Sequence, residues 1–70
     1  MLINIDQLIR KLYTKRSQAL RNWRAAPDDE ERKSLTLIAD AWTNKVNQYE
    51  LMELEVGREA MIEVPNDVLT

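Results

Sequence analysis

A lone proline followed by four carboxylates, Ala26-Pro27-Asp28-Asp29-Glu30-Glu31, is the only sharp break in the first fifty-six residues. Pro27 has no backbone N–H and pushes Ala26 out of helical geometry, so a helix arriving from the N-terminal side must end there. Asp28 can accept hydrogen bonds from the free N–H groups of a new helix, with Glu31 three residues on at the position of a capping-box partner. The acidic run also matches the positive end of that helix's dipole. A connection this short lays the two helices side by side and antiparallel.

The apolar spacing supports the same plan. Ile5, Leu8, Ile9, Leu12, Ala19, Leu20 and Trp23 recur at three- and four-residue steps. At about 100° per residue they cover an arc about 120° wide, with Tyr13 at its border. Asn4 or Asp6 can cap this first helix. Leu35, Ile38, Ala39, Trp42, Val46, Tyr49 and Val56 form the facing stripe. Leu35, Ile38, Trp42, Tyr49, Met52 and Val56 also keep heptad spacing, with Lys45 in the remaining position. Gly57, the only glycine, is the expected left-handed terminator. The predicted class is all-α: a helix over about 5–25, a turn at 26–28, a helix over about 29–56 and a tail over 57–70. Within the tail, Ala60-Met61-Ile62-Glu63-Val64 reads as a short extended segment or a helical turn, and 66–70 as a loose end.

Leu37, Leu51 and Leu54 point away from the second stripe and call for another packing surface. Either the tail folds back over them or a second copy of the chain covers them. An isolated hairpin buries each stripe on one side only, so a dimer closing into a four-helix bundle is expected. Its predicted interface is Leu37, Leu51, Met52 and Leu54.

Absence of cysteine and histidine removes disulfides, cysteine- and histidine-ligated zinc and imidazole acid–base chemistry. The N-terminus lacks the pattern of a secretion signal and no apolar run is long enough for a membrane span, which makes a cytoplasmic protein with no membrane partner the expectation. Net charge is −2. Residues 1–26 carry six basic groups against Asp6, while residues 27–70 carry four basic and eleven acidic groups. The two arms should attract each other, unless the basic side serves a polyanion.

Four arginines are candidates for anion binding. Arg10, Arg21 and Arg24 lie with Thr14 and Ser17 on the polar side of the first helix, along about 21 Å. Arg16 falls inside the apolar arc, level with Ile38 and Ala39 in an antiparallel hairpin, and must reach past the stripe, meet a tyrosine or a carboxylate of another copy, or bind an anion or other ligand. Glu53 is its counterpart on the second helix, within reach of Lys11, the N-terminal amine or a partner's turn. Glu50 and Glu53 make an E-x-x-E pair of the sort that magnesium-dependent hydrolases use, but such a site needs further carboxylates on a facing helix. Asp28 to Glu31 lack the ligand pattern of a calcium loop. No cofactor is implied.

In plan, the hairpin resembles the Rop-type RNA-binding hairpins of plasmid copy-number control, a likeness of architecture without matched signature residues. Pro27 to Leu35, with Glu31-Arg32-Lys33-Ser34-Leu35, resembles the turn of phage-encoded helical sponges that sequester cyclic oligonucleotides, over about nine residues. Both likenesses imply sites formed between copies. The functional expectation is a non-enzymatic, self-associating helical protein, a regulator or inhibitor acting through protein–protein contact. The alternatives are nucleic-acid or nucleotide binding through Arg10, Arg16, Arg21 and Arg24, and a metal-dependent hydrolase built on Glu50 and Glu53.

Overall fold

Asn4 starts the first helix. Its extended backbone and side-chain oxygen, which accepts from the Gln7 N–H at 3.0 Å, form the N-cap of α1 (Ile5–Arg24). The computed structural model describes residues 1–70. After the break at Pro27, Asp28 caps α2 (Asp29–Val56) by accepting from the Glu31 N–H at 2.8 Å. The Glu31 side chain does not return the bond, so only half of the capping box forms. At about 1.5 Å per residue α2 is about 42 Å long, which accounts for the longest dimension of the molecule, 42 Å.

The ends of the chain are more ordered than the sequence suggests. Residues Leu2–Asn4 form β1 and Met61–Glu63 form β2, paired antiparallel with Ile3 opposite Ile62. The Ile5 N–H donates to the Ala60 carbonyl at 2.9 Å and the Val64 N–H to the Met1 carbonyl at 2.8 Å, which extends the pairing beyond both ends. The N-terminal ammonium donates to the Glu63 carboxylate and to the Val64 carbonyl. A two-stranded ribbon this short is marginal alone. It persists because Ile3 and Val64 are buried against the helices.

Gly57 sets up this return. It has φ +93° and ψ 156°, so the left-handed half of the expectation holds, but the conformation is the extended mirror region and not the left-handed helical one. The chain leaves α2 through this extended glycine and a turn at Arg58 and Glu59, which the Ala60 N–H closes by donating to the Gly57 carbonyl at 3.3 Å, and so doubles back toward β1. The expected loose end at 66–70 is also corrected. The Val68 N–H donates to the Pro65 carbonyl, and the resulting turn drives Val68 into the core with 7% of its surface exposed. Lys45 Nζ donates to the Val68 carbonyl at 3.1 Å while lying 4.6 Å from the centre of the Trp42 ring.

Ile3, Ile5, Leu8, Ile9, Leu12, Val46, Tyr49, Val64 and Val68 make one buried cluster at the open end of the hairpin. Toward the turn the buried residues are small: Ala19, Ala26 and Ala39. The helices thus meet through alanines near the turn, and the strands and tail thicken the core at the other end. Trp42 packs against this cluster, whereas Trp23 lies near the turn beside Thr36, so the two indoles do not share a layer. Ile38 and Val56, expected in the stripe, are each 49% exposed. They lie at its edge, and no element of the chain reaches that edge to cover them.

Candidate protein-interaction surface

The two helices are laced along one side by three polar bonds. Trp23 Nε1 donates to Thr36 Oγ1 at 2.8 Å, Arg16 Nε to Thr43 Oγ1 at 3.1 Å, and the Tyr13 hydroxyl to Glu50 Oε1 at 2.6 Å. Both threonine hydroxyls in turn donate to the carbonyl four residues back in α2, Arg32 and Ala39. Each hydroxyl has one donor and free acceptor capacity, so both roles are met. This gives Arg16, which sits inside the apolar arc, a partner within its own chain. Its guanidinium reaches about one turn beyond the expected level of Ile38 and Ala39, to Thr43, with its carbon 6.0 Å from the Tyr13 ring centre.

The hydrogen bond to Glu50 raises the Tyr13 pKa above its ordinary 10.0, because ionisation would set two anions face to face. Desolvation and the charge of Glu50 act in the same direction, and the Arg16 cation opposes them. Thr36 and Thr43 carry no sequence signal as inter-helix partners. Their acceptors become visible only once the helices are in register.

No ion pair joins the two helices within the chain. The three pairs present are Met1 with Glu63, Arg10 with Asp6 and Arg32 with Asp29. The four candidate arginines are accordingly divided. Arg10 is held by Asp6 at 3.0 Å, Arg16 is turned between the helices, and Arg21 and Arg24 stand exposed near the turn. Glu53 meets neither Lys11 nor the N-terminal amine, which takes Glu63 instead; its Oε2 is buried without a hydrogen-bond partner. No group of three or more carboxylates converges anywhere in the chain. No helix is long and apolar enough to cross a membrane.

The outer side of α2, opposite Ala39, Val46 and Tyr49, keeps three exposed leucines among polar residues. Leu37 is 73% exposed, Leu51 65% and Leu54 83%. The tail folds back, but against the open end of the core and not over these leucines. Met52 departs from the expected set, since it is half-buried and packs on the core cluster. Asn47, Glu50, Leu51, Glu53 and Leu54 line a shallow groove of about 520 Å³ on the same helix. The Tyr13 bond holds Glu50 at one wall of this groove.

Comparison with protein-family models, with curated proteins and with solved structures finds no match to this chain.

Proposed function

We propose that this is a small non-enzymatic protein that self-associates and acts through protein–protein contact, with the outer face of α2 as its docking surface. The observation that carries this reading is the exposure of Leu37, Leu51 and Leu54 on one helix, the three most exposed large apolar side chains of the chain. Solitary exposed leucines are ordinary, but three along one rigid helix beside a groove form a surface whose burial releases water from apolar area. Pairing two hairpins through it gives a four-helix assembly with the α2 helices adjacent and the α1 helices outside.

Polyanion binding through α1 ranks second. Its support is the exposed, unpaired Lys11, Lys15, Arg21 and Arg24. Against it, Arg10 and Arg16 are already engaged within the chain.

The test is the molecular mass in solution of the natural chain and of a variant with Leu51→Ser and Leu54→Ser. The natural chain should run as a dimer at micromolar concentration, and the variant should remain helical but shift to monomer. A natural chain that stays monomeric at high concentration, or a variant that associates as strongly as the natural chain, overturns the proposal.

A further inference from the structure

The outer face of α2 is self-complementary in reverse. Leu37, Asn44 and Leu51 follow at seven-residue intervals, so they drift by only about 20° per step and form a narrow seam. All three are exposed. Asn44 lies midway between the leucines, about 10 Å along the helix axis from each. A two-fold axis through Asn44, perpendicular to α2, therefore sets Leu37 of one copy level with Leu51 of the other.

The Asn47–Leu54 groove lies to one side of this seam, since Asn47, Glu50 and Leu54 sit about 60–120° around the helix from Asn44. Leu37 of each copy meets Leu51 of the other at both ends, as an isologous interface requires. The charges agree. The same operation sets Lys33 level with Glu55, and no like charges within α2 coincide on this face. Lys33 and Glu55 are both exposed, and neither has an ion pair within its own chain. In a parallel pair Leu37, Lys33 and Glu55 would each face themselves, which sets like charges together. Antiparallel α2 dipoles also oppose each other favourably. On the axis, two Asn44 amides can each donate and accept, so they pair reciprocally, and a lone polar residue in an apolar seam fixes register.

We infer that the partner seated on the outer face of α2 is a second copy of this chain, antiparallel about a two-fold axis at Asn44, with Leu37 of each copy packed against Leu51 of the other. This rests on the docking reading above and specifies its occupant and orientation.

The natural chain contains no cysteine, so single-cysteine variants report geometry cleanly. Leu37→Cys, Asn44→Cys and Leu51→Cys are oxidised separately, and Leu37→Cys is also oxidised mixed with Leu51→Cys, with helicity checked by circular dichroism. Expected are a disulfide dimer from Asn44→Cys alone and a linked pair from the mixture, with little from either leucine variant alone. Separately, Lys33→Glu should raise the dimer Kd by about three- to tenfold, and adding Glu55→Lys should restore it. Efficient self-linking of Leu37→Cys or Leu51→Cys would make the pair parallel and overturn this inference while leaving the docking surface in place. A dimeric mass with no links from any variant overturns it too, because another face then mediates pairing. A monomeric natural chain removes both this inference and the docking reading beneath it.

Discussion

Replacing Val68 with Ala measures whether the C-terminal turn holds the core together or only rests on it. Val68 is 7% exposed and belongs to the cluster with Ile3, Ile5, Leu8 and Val46. The substitution removes two methyl groups, about 1.6 kcal/mol of transfer free energy at ~0.8 per carbon. A residual cavity raises the cost to about 2 kcal/mol, since the site is closed by helices on one side and by strands on the other. The Lys45 bond goes to the Val68 carbonyl and survives the change, so the experiment isolates the side chain. A domain of this length has roughly 3.5–10 kcal/mol of stability in total. A loss of about 2 kcal/mol should lower Tm by roughly 8–16 °C. Thermal unfolding followed at 222 nm would measure it, with Asn66→Ala, an exposed neighbour in the same turn, as control; its expected change is within about 0.5 kcal/mol. Both variants are compared at one protein concentration, because self-association would add its own shift. If Val68→Ala lowers Tm by no more than Asn66→Ala does, the tail is not part of the core and the account of the closed end fails.

Gly57→Ala should destabilise by about 1–3 kcal/mol although a Cβ there would meet nothing within 4 Å, because the cost lies in the backbone at φ +93° and ψ 156°; urea unfolding measures it, and a neutral outcome would mean the chain leaves α2 differently. Tyr13 should ionise above the ordinary value of 10.0, as read by ultraviolet titration of the natural chain against Tyr13→Phe. Because its folded pKa is raised, its contribution to stability is complete below pH 10 and is lost as pH rises through the folded value. Glu50→Gln should bring the titration back toward 10; a titration that does not move would show that the bond to Glu50 does not form in solution.

The local rules of the chain determined the helices. A proline without an N–H, an aspartate positioned to cap, and apolar residues at three- and four-residue steps act over distances of a few residues, so each can be read without knowing what lies opposite. The same rules exposed Leu37, Leu51 and Leu54 as surplus to the hairpin and marked Arg16 as a charge out of place. Tertiary structure decided the rest. Whether Leu2–Asn4 and Met61–Glu63 become strands depends on two chain ends sixty residues apart meeting above the same helices, since neither segment could hold that shape alone. Thr43 became the partner of Arg16 because the register of the helices brought them together, and Val68 became core because a turn at Pro65 aimed it inward. Short-range preferences are written residue by residue, whereas pairings between distant residues exist only after the fold has fixed their separation.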